Sequence, residues 1–345
     1  MPDTQPTGVL LLQLGTPDST STRDVRRFLA EFLSDPRVMD VATPVRWLIL
    51  NAVILPFRPR RIAEAYRMIW SEEGSPLLKH TEALTSELRS NLGDGYLVDF
   101  GMRYGSPSIA DALERLIAGG ATDIRILPLF PHYASSAGGS ATAKTMELLA
   151  ERWNVPAVSF LPEFYDHPGF IAAVAGAASR ELDRFSPDHV LFSYHGLPER
   201  QVRKADSSGG HCFATDNCCD AVGPANRNCY RAQCFATTRA VVSELSLSSD
   251  SHSTAFQSRL AGTPWITPHT DRVLYDLYDS GIRRLAVFTP SFVADCLETL
   301  EEIGIRLRKQ WIDLGGEDLL LLPCVNETPV WVDAVSSMVS TVERS

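Results

Sequence analysis

The sequence predicts an α/β protein made of two similar, doubly wound parallel-sheet halves with a cleft between them. Three observations lead there. Short apolar runs ending in Gly or Pro alternate with amphipathic stretches, the pattern of repeated βα units. Segments of the second half match segments of the first in the same order: Leu10–Pro17 (LLLQLGTP) with Leu191–Pro198 (LFSYHGLP), Asp99–Pro107 (DFGMRYGSP) with Ala255–Pro264 (AFQSRLAGTP), and ALERLIAGGATDIRILPLFPHY with VLYDLYDSGIRRLAVFTPSF. The chain has 345 residues, which at roughly 150 per domain suits two domains.

Along the chain, strands are expected at Val9–Leu14, Leu97–Phe100, Ile124–Leu129, His189–Tyr194, Ala255–Gln257 and Leu285–Thr289. Each is short and mostly apolar, as strands covered by helices on both faces must be. Amphipathic helices are expected at Thr22–Leu33, Arg61–Trp70, Ser108–Ala118, Ala141–Trp153, Arg231–Leu247 and Asp295–Lys309. The boundary falls near residues 160–185, giving halves 1–165 and 166–345, with the last helix packing back on the first half.

Composition excludes several classes. Hydrophobic residues are 44% and charged residues 21%, which fits a folded globular chain and not a disordered one. Lys and Arg number 32 against 42 Asp and Glu, so the net charge is −10, the wrong sign for a general nucleic-acid binder. The start, MPDTQPTGVLLLQLGTP, has no basic segment ahead of its apolar run, so no secretory leader is expected. No run reaches the roughly 18–20 apolar residues that span a bilayer. A cytosolic or peripheral protein is therefore expected, and its cysteines should stay reduced. Five of the seven cysteines lie between Cys212 and Cys234, a density that points to a metal or cluster site.

Ligands of doubly wound sheets sit outside the carboxyl ends of the strands. The polar residues there are Gln13 to Thr16, Arg103 and Tyr104, His132 and Tyr133, Tyr194 to Gly196, Arg259, and Ser291 to Glu298. In Ser193–Arg200 (SYHGLPER) an imidazole follows an apolar strand. Imidazole changes charge near neutral pH, so it can take a proton or bind a metal, or simply be a hydrogen-bonded loop group. In Pro290–Gly304 (PSFVADCLETLEEIG), Glu298 and Glu302 stand four apart on one helical face, with Asp295 and Cys296 just before them. They form either a solvated face or an acidic track for a cation or protons, and Glu298 is the best placed. No GxSxG, GxGxxG or Walker A pattern supplies another chemistry.

These motifs together resemble the ferrochelatases, which insert ferrous iron into a porphyrin in haem synthesis. The resemblance runs through LQLGTP, the EGSPL run, MRYGSP, LFPHYASSAGGS, SYHGLPER, FQSRLAGTPW and DCLETL, nearly the whole chain. It implies the chelatase fold, His195 as the active-site histidine, Glu298 as the catalytic glutamate and Glu302 as the second acidic residue of the helix. Many members carry a second histidine where this chain has Cys296. His195 would take the pyrrole protons or hold the metal on one face, with Glu298 and Glu302 as proton path or metal conduit for the incoming Fe²⁺, and no organic cofactor is required. Leu14, Arg103, Tyr104, Tyr133, Ser140 and Trp265 are the candidate porphyrin contacts; Ser135 and Ser136 lie in the same hydroxyl-rich loop. Leucine at position 14 leans toward protoporphyrin IX, where coproporphyrin enzymes often carry tyrosine. A non-catalytic haem-binding protein is the rival reading.

Arg46–Arg61 (RWLILNAVILPFRPRR) has an apolar run with a basic rim, too short to span a membrane. It reads as a buried helix or as part of a membrane-facing lip at about 45–77, where the family has one. The resemblance also implies transient contact with a membrane surface and with the preceding enzyme of haem synthesis. The cysteine-rich insert, about 205–235, has no CxxC pair, so a zinc ribbon does not fit. Four thiolates are what a [2Fe–2S] cluster takes. The segment looks like the internal insert of some bacterial ferrochelatases, which assigns Cys212, Cys218, Cys219 and Cys229 as ligands and leaves Cys234 over. Zinc at the same residues is the alternative, and Cys324 reads as core.

Overall fold

A computed structural model describes residues 5–259 and 262–341. Met1–Thr4, which carry part of the leader argument, and Leu260 and Ala261 of the FQSRLAGTPW motif lie outside the described residues. So does the end of the second half beyond residue 341.

The first unit comprises residues 1–130, 134–163 and 331–345. It runs β1 (Thr7–Thr16), α1 (Thr22–Ser34), α2 (Thr43–Leu48), α3 (Leu55–Ile69), α4 (Pro76–Leu92), β2 (Tyr96–Gly105), α5 (Ile109–Ala118), β3 (Asp123–Pro128), α6 (Gly138–Ala150) and β4 (Ala157–Phe160). A π-helical turn, Ile49–Ile54, joins α2 to α3. The second unit comprises residues 131–133 and 164–330. It runs α7 (Pro168–Phe185), β5 (His189–His195), α8 (Glu199–Ala205), α9 (Tyr230–Glu244), β6 (His252–Gln257), α10 (Thr270–Asp279), β7 (Arg284–Phe288), a π-helix (Leu297–Leu307), α11 (Arg308–Leu314) and β8 (Asp318–Leu321). From Trp331 onward, the final helix α12 (Pro329–Ser340) belongs to the first unit. There Asn91 Nδ2 donates to Asp333 at 2.9 Å, and the Arg125 guanidinium reaches the carbonyls of Val339 and Ser340.

Each unit holds a four-stranded, all-parallel sheet. The orders are β2-β1-β3-β4 and β6-β5-β7-β8, one topology used twice. Val9 to Leu12 in β1 and Leu191 to Ser193 in β5 are completely buried, because helices cover both faces. The matched sequence segments occupy matched positions, and the glycines show why. Gly15, the next-to-last residue of β1, has φ +113°, and any Cβ there would run into the Tyr104 carbonyl. Gly196 follows β5, donates its N–H to the Gln257 carbonyl at 2.8 Å, and would press a Cβ against that carbonyl and the Trp265 indole. In both halves the chain leaving the central strand passes too close to its neighbour to carry a side chain.

Two strands go beyond the expected set and one helix start moves. β4 (AVSF) and β8 (DLLL) are edge strands of only four residues, too short for an alternating pattern to announce them. The helix expected from Asp295 starts only at Leu297 and is π-helical through Leu307. Thr299 holds the entry: its Oγ1 accepts from the Cys296 N–H and donates to Asp295, both at 3.0 Å.

Helix α9 is pinned by polar side chains. His132 Nε2 bonds Thr237 at 2.9 Å, and its ring meets Tyr194 and Tyr230 edge-on. Burial pushes the His132 imidazole down to about 3. The unfolded chain then binds a proton near pH 6.5 that the folded chain refuses. This contribution is whole above about pH 6.5 and falls as pH drops toward 3, by at most about 1.4 kcal/mol per pH unit. His132→Gln should flatten the stability profile over that window in urea titrations at stepped pH. A slope equal to wild type would place the acid sensitivity elsewhere.

Candidate active site and cysteine insert

In a sheet of order 2-1-3-4, the strand order reverses beside the central strand, and its carboxyl end opens a crevice. In the second unit that position is the end of β5, where His195 is the last strand residue. Its Nδ1 lies 2.7 Å from the Gly196 carbonyl. A carbonyl only accepts, so Nδ1 carries the hydrogen, and in the neutral ring Nε2 is the nitrogen with the lone pair. The peptide of His195 is tied as well: its N–H donates to Ser291 Oγ at 3.1 Å, and its carbonyl accepts from Tyr230 at 2.8 Å.

The loop after β7 brings the π-helix to the same strand end. Gln257, at the end of β6, accepts from Ser193 and donates to the Glu298 carbonyl at 2.9 Å, so β5, β6 and the first π-turn share one polar link. Glu302, one turn on, accepts from the Ser258 N–H at 3.0 Å and hydroxyl at 2.6 Å. Burial raises the Glu302 carboxyl. The Ser258 bonds and the adjacent His195 and Arg306 charges pull it back, and Glu298 pushes it up again. The structure thus brings His195, Glu298 and Glu302 into one electrostatic neighbourhood. In a π-helix with i→i+5 bonds, residues four apart stay close to one line along the axis. Glu301, beside Glu302, is 9% exposed and paired with Arg306 at 2.9 Å.

Of the other expected contacts, Trp265 is half-buried against Gly196, with its indole N–H buried and unpartnered among the described residues. Half-buried Tyr133 is held by its N–H to Gln233 at 2.6 Å. In the first unit, Leu14 is half-buried near the end of β1. Arg103, Tyr104 and Ser140 converge on a residue the sequence reading missed, Asp35, which caps the end of α1. Arg103 Nη2 and the Tyr104 hydroxyl each lie 2.8 Å from Asp35, Ser140 also donates to it, and Arg103 Nε reaches Ser140 at 2.8 Å. Burial would raise the Asp35 carboxyl, but the bonds from Ser140, the Arg37 N–H and Tyr104, with the Arg103 charge, hold it below the ordinary range. Tyr104 is fully buried and Ser140 nearly so. Both therefore support Arg103 from behind and present no surface of their own. A lone Asp after a helix carries no signal that would have marked Asp35.

In the lip segment, Trp47, Leu48, Val53 and Phe57 are exposed, Phe57 by 75%, which rules out the buried-helix reading. Among the described residues, no helix is long and apolar enough to cross a membrane.

The cysteine insert, residues 206–229, forms turns without helix or strand. Asp206 accepts the Ser208, His211 and Cys212 N–H groups, and Asn226 donates to the Cys218 and Ala221 carbonyls. Cys212, Cys218, Cys219 and Cys229 are all buried as free thiols. The Cys218 and Cys219 sulfurs are 3.6 Å apart, and Cys229 touches both Cys212 and Cys219. Arg231 Nη1 points at Cys219 Sγ at 3.3 Å. Among the described residues, no three His, Cys, Asp or Glu side chains are arranged around a single metal ion. Cys234 is buried on α9 and Cys324 lies in the core.

Comparison with known proteins accords with this geometry. The sequence model of the ferrochelatase family matches residues 6–343. A ferrochelatase of Coxiella burnetii (strain CbuK_Q154) is 46% identical over 331 residues, covering 96% of this chain and 92% of that protein. A ferrochelatase of Legionella pneumophila (strain Paris) is 46% identical over 334 residues, covering 96% and 98%. Among solved structures, the cobalt complex of the sirohydrochlorin chelatase SirB from Bacillus subtilis subspecies spizizenii aligns with a TM-score of 0.53 at 11% identity, over 97% of this chain and 94% of that one. At that identity the likeness is one of fold, and it agrees with the paired parallel sheets. With a match across nearly its whole length and relatives at 46% identity, the chain belongs to the ferrochelatase family.

Proposed function

We propose that the protein inserts Fe²⁺ into protoporphyrin IX to form protohaem, the closing metal-insertion step of haem synthesis. The observation that carries the mechanism is the tautomer of His195: its Nδ1–H is committed to Gly196, which leaves Nε2 of the neutral ring open to accept a proton, within electrostatic reach of Glu302. The free-base porphyrin must lose two N–H protons as Fe²⁺ enters, and the four ring nitrogens then hold the metal. In this reading Nε2 accepts a pyrrole proton, and Glu298 and Glu302 carry protons away or hand over the cation. Glu302 suits proton relay, because burial and the neighbouring carboxylate favour its protonated form while Ser258 keeps its oxygens oriented. Arg103, stiffened by Asp35 and stacked over Tyr104 at 4.4 Å, is the cation offered to a porphyrin propionate. Leu14, Tyr133 and Trp265 supply apolar contact to the macrocycle.

The exposed Trp47, Leu48 and Phe57, followed by Arg58, Arg60 and Arg61, suit reversible attachment to an anionic membrane surface, from which an apolar porphyrin or its supplying enzyme would approach. A [2Fe–2S] cluster on Cys212, Cys218, Cys219 and Cys229 is the second part of the proposal. A two-iron cluster takes thiolates as two pairs, whereas a single zinc takes four around one point. What supports the former is four buried free thiols drawn into one turn-rich insert, with the Cys218 and Cys219 sulfurs 3.6 Å apart. Burial raises the Cys212 and Cys218 thiols, and the Cys229 contact together with burial raises Cys219 against the pull of Arg231, so loading must expel protons. When bound, the cluster would cross-link an insert that has no hydrophobic core of its own.

His195→Ala should abolish metal insertion, followed by zinc-protoporphyrin fluorescence, while porphyrin binding by quenching persists; equal loss of both would remove the proton-accepting role. Glu298→Gln should slow turnover by about a hundredfold or more. Freshly purified protein should be reddish, contain iron and sulfide, and bleach with dithionite, whereas a colourless protein carrying zinc overturns the cluster. Phe57→Glu should weaken co-sedimentation with phosphatidylglycerol vesicles without changing turnover of detergent-dispersed porphyrin; undiminished sedimentation would sink the lip.

A further inference from the structure

We propose that Tyr230 is the positioning residue through which the cysteine insert holds His195 in place, an inference that rests on the cluster reading above. Strand β7 pairs with β5 only as far as Phe192, so on that side the peptide groups of His195 have no strand to bond. Ser291 and Tyr230 stand in for it. The Tyr230 hydroxyl is 2.8 Å from both the His195 carbonyl and Ser291 Oγ, and Ser291 Oγ accepts the His195 N–H at 3.1 Å.

Counting hydrogens fixes the directions. The carbonyl only accepts and the phenol has one hydrogen. Tyr230 therefore donates to the His195 carbonyl, Ser291 donates to Tyr230, and the His195 N–H donates to Ser291. The three bonds close a ring around both peptide groups of one residue, with each donor used once. A buried hydroxyl is costly without a partner, so this ring also keeps Tyr230 where it is.

The other end of Tyr230 is the insert. Cys229, a proposed ligand, is the N-cap of α9, and Tyr230 is the first residue of that helix. The ring of Tyr230 is 5% exposed, edge-on to His132 at 5.7 Å and in contact with Cys234, so it cannot swing independently of the helix start. Further along α9, Thr238 bonds the hydroxyl of Tyr194, the residue before His195, at 2.9 Å. A shift of Cys229 therefore moves the first turn of α9, and with it the clamp on His195.

Tyr230→Phe keeps the ring and opens the circuit. It should retain the thermal midpoint, the iron and sulfide content and the visible spectrum of wild type, hold KM for porphyrin within about twofold, and lose about tenfold in kcat, the scale of one or two hydrogen bonds. Cys229→Ser should lose the chromophore and fall similarly in kcat, and the double variant should be no slower than the poorer single one. An unchanged kcat in Tyr230→Phe, a loss confined to KM, or losses that multiply in the double variant would overturn the proposal. A wild-type protein lacking iron and sulfide overturns the cluster reading alone, and the kcat of Tyr230→Phe still decides the role of the tyrosine.

Discussion

One hydrogen bond sets the chemistry of the site. Because the Gly196 carbonyl takes the Nδ1 hydrogen of His195, the neutral imidazole presents the Nε2 lone pair from the end of β5. The rest of the second unit's polar architecture serves that orientation. Gly196 must lack a side chain for its peptide to lie against Gln257 and Trp265, and Gln257 in turn anchors the π-helix that carries Glu298 and Glu302. A base and two carboxylates are thus held by elements that a larger residue at position 196 would push apart.

The same geometry recurs in the first unit, where Gly15 closes on Tyr104, yet the outcome differs. There the strand-end polar groups satisfy one another: Asp35 gathers Arg103, Tyr104 and Ser140 into a buried network with a stabilised carboxylate. Such a network orients a guanidinium at low entropic cost, which suits recognition of an anion, whereas in the second unit burial raises the Glu302 carboxyl, which suits proton exchange. Duplication supplied two equivalent strand ends, and side-chain chemistry separated their roles.

The cysteine insert is the part of the fold with the least conventional support. It has turns, polar caps from Asp206 and Asn226, and four buried thiols, but no regular element of its own. Its attachment to α9 makes its order matter beyond itself, since α9 also grips His132, Tyr133 and Tyr194 through Thr237, Gln233 and Thr238.

Sequence by itself determined the fold class, the duplication, the positions of six strands and the two motifs that carry His195 and Glu298. These are legible because apolar periodicity, Gly and Pro punctuation and short motifs are local properties of the chain. Only the tertiary structure decided what depends on distant residues meeting. It put the edge strands β4 and β8 on their sheets despite their four-residue length, and it turned an expected α-helix into a π-helix capped by Thr299. It also recruited Asp35 to Arg103 across 68 positions and gave Tyr230 its place against His195, 35 positions away. Hydrogen bonds between residues that far apart leave no trace in spacing or composition, because the partners are chosen by where the backbone brings them.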